Sequence, residues 1–252
     1  MTRTSSLKVK ERNEPILAKI QELKEEHPFW GYRRIWAHLT YVNNLQVNKK
    51  RVYRLMKLHD LIVTKNTRLK AKRAASRPKP QAEAPNQLWG IDMTKFKTHE
   101  GWSYLVVVLD WYSKKIVGHH MGLISRTAEW LEALEEGICN QFPNGVREAG
   151  LKLVSDNGCQ PTSTRFMGAC HHLGVEQIFT SYNNPKGNAE TERMMRTLKE
   201  ELIWLKEWSS HHEVEEAIKS WIKSYNESYL HSVHGYRSPV WAEQNYKKRE
   251  AA

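Results

Sequence analysis

Between residues 88 and 123 three strand-like runs follow one another with no room for a helix between them: "LWGIDMTKF", "WSYLVVVLDWYS" and "KKIVGHHMGL". Runs joined by turns as short as "THEG" pair as an antiparallel meander, because a parallel crossover needs a dozen or more connecting residues. The texture then changes. A helix is predicted from Thr127 to Asn140, with Trp130, Leu131, Leu134 and Ile138 on its apolar side, followed by a strand in "GLKLVSD". A helix from about Thr162 to His172, a short strand "EQIFT", a long helix from Asn188 to about Trp208 and a last helix from roughly Glu213 to Ser228 complete the pattern. An antiparallel set continued by alternating helices and strands implies an α/β fold, a mixed sheet flanked by helices.

The first third reads differently. Asn13 is placed to cap a helix with Pro15 in its first turn, and Ile16, Leu17, Ile20 and Leu23 recur at helical spacing until His27-Pro28. "WGYRRIWAHL" puts Tyr32, Ile35, Trp36 and Leu39 on one face; Asn48 then caps "KKRVYRLMKLH", whose buried stripe is Val52, Leu55 and Met56. Lys49, Lys50, Arg51, Arg54 and Lys57 fall largely outside that stripe. A helix entered by a short turn and charged with one sign has the character of the recognition helix of a helix-turn-helix unit. Composition supports this reading: residues 1 to 86 hold 20 Lys and Arg against 7 Asp and Glu, whereas residues 87 to 252 hold 19 against 21. All of the net charge of +11 therefore sits in the first third, as a module that binds nucleic acid ahead of a near-neutral domain requires. The expected organisation is a small all-α helix-turn-helix domain over residues 1–63, a basic, proline-containing linker over 64–87 that cannot bury a core, and an α/β domain over 88–252.

Several classes are excluded. No run of about 18 apolar residues offers a membrane span, and the first residues lack the apolar core of a signal peptide, so the chain is expected in the cytoplasm without membrane contact. Cys139, Cys159 and Cys170 form neither a disulfide framework nor a zinc ribbon. The pairs His171-His172 and His211-His212 lack partners at ligand spacing and read as surface or capping residues.

Chemistry is carried by carboxylates. Asp92 lies within or just after the first strand of the α/β domain, where a charge is costly to bury without a partner. Asp156 follows the strand "KLVS", at the carboxyl end where open sheets place ligand sites, with Asn157-Gly158 breaking the chain behind it. A later helix carries Glu190, Glu192, Glu200 and Glu201. Carboxylates gathered in one cleft repel unless a cation neutralises them, and hard oxygen ligands suit Mg²⁺ or Mn²⁺. Asp110, in "VVLDWYS", reads as a turn residue.

"WGIDMT", "LDWYSKKIVG", "LVSDNGCQPTS" and "GNAETERMMRTLKEEL" resemble, in order, segments of the DDE transposases encoded by the second reading frame (OrfB) of bacterial insertion sequences, relatives of retroviral integrases with a ribonuclease-H-like fold. "FWGYRRIWAHL" and "VNKKRVYRLMK" resemble the helix-turn-helix region ahead of that catalytic domain. In the family the glutamate follows an Asn-Ala-x-x pattern and lies 35 residues beyond the second aspartate. Asn188-Ala189 and the 35 positions from 157 to 191 both select Glu192, and Glu190 meets neither condition. The sequence departs from the pattern at Cys159, Pro161 and Arg193, and in "YLHSVHG" at 229–235.

The resemblance implies a metal-dependent DNA transposase in which Asp92, Asp156 and Glu192 are the catalytic ligands of two Mg²⁺ or Mn²⁺ ions. Helical geometry agrees, since Met194, Leu198, Leu202 and Leu205 form an apolar wedge and Glu192 sits off it beside Asn188, Arg196 and Lys199. Arg196 and Lys199 match the basic residues with which the resembling integrases hold a DNA end. Double-stranded DNA, as inverted-repeat ends and target, is the implied partner, bound by a homo-oligomer associated with the nucleoid. An upstream OrfA, as partner or fusion, commonly supplies a coiled coil that residues 1 to 26 do not contain. Two rivals are a ribonuclease-H-like nuclease that cuts without joining, for which Asp110 is the candidate fourth carboxylate, and a non-catalytic inhibitor derived from a transposase.

Overall fold

The computed structural model describes residues 7–63, 81–180 and 187–250, and the chain divides into two compact units, residues 1–72 and 73–252. The basic linker expected at 64–87 lies outside the described residues as far as residue 80.

The first unit is three helices, α1 (Leu7–Glu26), α2 (Tyr32–Tyr41) and α3 (Lys49–Leu58). They close on Ile20, Leu23, Ile35, Leu39, Val52, Leu55 and Met56. Asn48 caps α3 as expected, its side chain accepting the Lys50 N–H at 2.8 Å. The start of α1 departs from expectation. The helix begins six residues before Asn13, so Pro15 lies inside it and Asn13 is not a cap. The Asn13 carboxamide instead accepts Arg51 Nε at 2.9 Å, tying α1 to α3.

The second unit is built on a five-stranded sheet of order β3-β2-β1-β4-β5. β1 (Leu88–Thr98), β2 (Gly101–Asp110) and β3 (Ile116–Gly122) form the antiparallel meander, while β4 (Lys152–Ser155) and β5 (Glu176–Phe179) add on parallel. Alternation along the strands sends their residues to two cores. On one face Leu105, Val107 and Leu109 meet α6 (Ala189–Glu201) and α7 (His211–Ser228) through Met194, Leu198, Val214 and Ile218. On the other, Trp89, Ile91, Val106 and Val108 meet α4 (Thr127–Gln141) and α5 (Thr164–Leu173) through Trp130, Leu134, Ile138 and Phe166. This is the mixed sheet flanked by helices that the strand pattern implied. All three cysteines are free, Cys170 buried in the second core and Cys139 and Cys159 exposed.

Two elements differ from the sequence reading. The helix expected to run to Trp208 ends at Glu201, where Leu202 leaves helical geometry (φ −135°, ψ −62°) and a 3₁₀ turn, Ile203–Leu205, takes over. The bend turns Ile203 and Trp208 into the core, with Trp208 Nε1 donating to the Ile203 carbonyl at 3.1 Å, and leaves Leu205 exposed rather than in the apolar wedge. The second is α8 (Pro239–Glu250), missed because its apolar residues follow no single stripe. Glu243 fixes it, accepting Lys115 Nζ at 2.7 Å and Lys247 Nζ at 2.9 Å. Among the described residues no helix is long and apolar enough to cross a membrane.

Candidate active site

Asp92, midway along β1, and Asp156, just past the end of β4, lie on adjacent parallel strands. The β1–β4 register pairs Leu88 with Lys152 and Gly90 with Val154, so each aspartate lies two residues beyond the last pair. Adjacent strands run roughly 4.8 Å apart, which makes the two aspartates neighbours by register alone. Past Asp156 the chain turns sharply: its Oδ1 accepts the Gly158 N–H at 2.9 Å, while the Asn157 carboxamide donates to the Thr180 carbonyl beyond β5.

The third carboxylate arrives by a clasp between α6 and β1. Asn188 precedes α6 but makes no cap; its buried side chain donates to the Ile91 carbonyl at 3.2 Å, one residue before Asp92. One turn on, Thr191 Oγ1 accepts Trp111 Nε1 at 3.1 Å. Both contacts crowd Gly90, where a Cβ would lie 2.1 Å from Thr191 Oγ1 and 2.3 Å from Trp111 Nε1. A glycine is therefore required here for close approach of helix to strand. Thr191 is buried inward and Glu192, one position along, is exposed at the edge of the site.

Burial and neighbouring charges act together on Asp92. Burial pushes the half-buried Asp92 up to about 6. The Met93 N–H, donating to Asp92 Oδ1 at 2.8 Å, and the Lys199 ammonium oppose the rise, whereas the charges of Asp156 and Glu192 add to it. The Glu190 carboxylate pairs with Lys114 at 3.0 Å, on the side toward the β2–β3 turn. Among the glutamates of α6, the charge of Glu192 acts on Asp92. Glu200 accepts Arg196 Nε at 2.7 Å, so Arg196, largely exposed, pairs one turn forward rather than back to Glu192.

Asp156 and Glu192 beside Asp92, whose carboxyl is held above its ordinary range, form a donor set of hard oxygens that suits a divalent cation. Among the described residues no three His, Cys, Asp or Glu side chains converge to coordination distance. Asp110, by contrast, is wholly committed to structure. Buried and raised above its ordinary range by burial, it accepts Ser113 N at 2.8 Å, Ser113 Oγ at 2.5 Å and Asn86 N at 3.1 Å, closing the β2–β3 turn. It is not available as a fourth ligand.

On α3, Lys50, Arg54 and Lys57 are exposed on one side of the helix. The other two cations have local duties: Lys49 Nζ lies 4.0 Å over the Trp36 ring, and Arg51 bonds Asn13 and the Arg12 carbonyl.

Comparison with known proteins agrees with both units. Residues 11–68 match the HTH-like domain family, and residues 82–185 and 173–239 each match an integrase core domain family. The chain is 32% identical over 239 residues to the transposase for insertion sequence element IS904 of Lactococcus lactis, covering 90% of this chain and 92% of that one. It is 28% identical over 246 residues to the transposase for insertion sequence element IS629 of Shigella sonnei, covering 94% and 81%. Its fold is similar, with a TM-score of 0.51 and 14% identity over 89% of this chain and 74% of the other, to a chain in the structure of the simian T-cell lymphotropic virus intasome in complex with PP2A regulatory subunit B56 gamma.

Proposed function

The chain belongs to the insertion-sequence transposases with an integrase core, a polynucleotidyl transferase, and on that premise we propose that Asp92, Asp156 and Glu192 are the residues at which DNA strands are cut and joined. The observation that carries the assignment is geometric: the β1–β4 register makes Asp92 and Asp156 neighbours, and the Asn188–Ile91 bond and the close approach at Gly90 bring the start of α6, with Glu192, against β1. The three carboxylates would hold two divalent cations, Mg²⁺ or Mn²⁺, which when bound activate the attacking oxygen and stabilise charge on the leaving oxygen. The attacking group is water in strand nicking and a DNA 3′-hydroxyl in strand transfer. No covalent protein intermediate is needed, since phosphoryl transfer depends on positioning and charge neutralisation. Asn188 and Gly90 hold α6 against β1 and so set the position of Glu192. Lys199, beside Asp92, and Arg196, one turn before Glu200, are placed to hold phosphates of the DNA end.

Residues 1–63 then form the helix-turn-helix domain, 64–87 the basic linker and 88–252 the catalytic domain with its C-terminal helices. Lys49, Lys50, Arg51, Arg54 and Lys57 make the DNA-facing helix, with the exposed Lys50, Arg54 and Lys57 supplying most phosphate contact. Inverted-repeat ends and target are the duplex partners. The working form is a homo-oligomer on DNA in the nucleoid, with OrfA as partner or fusion. A nuclease of the same fold that cuts without joining is disfavoured by the commitment of Asp110 to its turn.

Single substitutions Asp92→Ala, Asp156→Ala and Glu192→Ala are expected to abolish Mg²⁺-dependent nicking and joining of an element end while leaving end binding intact; Glu190→Ala retains both reactions. Joining that survives Glu192→Ala and disappears in Glu190→Ala overturns the assignment. Cleavage without transfer of pre-cleaved ends by the unaltered protein would favour the nuclease.

A further inference from the structure

A groove of about 740 Å³, within the roughly 300–1,000 Å³ of ligand sites, lies between the β1–β2 hairpin and the chain that follows α6. Its walls mix cations with indole rings: Lys95, Trp102, Lys199, Trp204, Lys206 and Trp208 all line it. Trp102 and Trp204 are 49% and 59% exposed, although tryptophan is highly buried on average, whereas Trp208 is a buried floor. The hairpin is pinned to the far wall, His99 N donating to the Trp208 carbonyl at 2.9 Å and His211 N to Glu100 Oε2 at 2.8 Å, so the groove is a built feature. Lys95 Nζ stands 4.8 Å over the Trp102 ring and Lys206 Nζ 4.3 Å over that of Trp208. Among the described residues Glu207, 3.5 Å from His99, is the one acidic residue lining it; Lys206 also pairs with Glu213 at 2.6 Å, and Lys95, Lys97 and Lys199 remain in excess. Lys199 belongs to two places at once, lining this groove and acting on Asp92.

Cations that track phosphates, interleaved with exposed rings on which bases stack, are the requirements of a single-stranded nucleic-acid site. A duplex offers its bases only at groove edges and has no use for exposed indoles. We propose that this groove takes unpaired nucleotides of the DNA strand that leaves the catalytic carboxylates, stacking them on Trp102 and Trp204 while Lys97 and Lys199 hold their phosphates. The inference rests on the strand-cutting function proposed above, and it gives that function a means to keep a DNA end open.

The test is metal-free equilibrium binding of the full-length protein to a duplex element end, either blunt or extended by a short oligothymidine strand. Each stacked base adds on the order of tenfold in affinity, so the extended end should bind at least that much more tightly. Trp102→Ala/Trp204→Ala should erase the difference and leave blunt-end affinity unchanged, and Trp102→Phe/Trp204→Phe should restore most of it. Both side chains are exposed, so the variants keep the fold. An extension that adds nothing, or an advantage that survives the double alanine variant, overturns the groove as a strand site. Because no cleavage is read, that result leaves the carboxylate assignment standing; conversely, inactive carboxylates with an intact overhang preference would overturn only the cleavage reading.

Discussion

Asp92 is held in a place that disfavours its own charge. Burial first, then the charges of Asp156 and Glu192, push it from 3.8 to about 6. The sign of the stability effect follows: an acid whose folded value exceeds its unfolded value costs nothing below about 4, costs progressively more as pH rises toward 6, and carries the whole penalty above. The difference amounts to on the order of 3 kcal/mol at neutral pH. Asp92→Asn should therefore raise the melting temperature by several degrees at pH 7, with the gain fading as pH falls to 4. Divalent cation reverses the order, because Mg²⁺ or Mn²⁺ bound to the native state stabilises the unaltered protein and not the variant. Thermal melts at both pH values, with and without the cation, check this. A gain of equal size at pH 4 and pH 7 would show that the carboxylate is not the source of the instability.

At the scale of elements, the site depends on how closely α6 approaches β1. Gly90→Ala would drive a methyl group into Thr191 and Trp111, breaking the bond between them. Overpacking of this kind costs about 1–3 kcal/mol, and here it also carries Glu192 away from Asp92. Nicking is expected to fall much further than stability, and a chemical denaturation curve run beside the cleavage assay separates the two. Asn188→Ala removes the bond to Ile91 and should act in the same direction, with a smaller stability loss of about 1 kcal/mol. Comparable loss of stability with full activity would mean the clasp serves packing alone. This clasp also marks the limit of what the chain's pattern discloses. The meander, α4 and the N-cap of α3 were legible, because periodicity and capping chemistry are local properties, whereas the choice of Glu192 came from the spacing of the family it resembles. That Asn188 reaches for a strand instead of capping its own helix, or that Gly90 faces Thr191, depends on residues about a hundred positions apart. The break at Leu202 was hidden for the same reason: propensity favours a continuing helix there, and tertiary burial of Trp208 ends it. The exposed pair Trp102 and Trp204 had no local signal either, since each alone reads as an ordinary aromatic in a strand or helix.

Across the whole molecule charge and chemistry are divided between the two units. The first third carries the entire positive excess, and the second unit, close to neutral, holds the carboxylates proposed to bind cations. A strongly basic catalytic unit would compete with its own cofactor for those carboxylates; a basic domain placed ahead of it can collect DNA without that interference. Affinity and catalysis should accordingly be separable. Replacing the exposed Lys50, Arg54 and Lys57 by Ala removes up to three phosphate contacts, each contributing about 0.9 to the dependence of log affinity on log salt. The slope for binding an element end should fall by roughly 2.7, with affinity at moderate salt reduced accordingly, while the nicking rate at saturating DNA stays near that of the unaltered protein. Asp156→Ala should give the reverse, an unchanged slope with no nicking. Binding isotherms across a salt series and single-turnover cleavage on the same element end measure both quantities. If the triple variant keeps its slope, α3 does not lie against the duplex, and DNA capture must be assigned to the second unit.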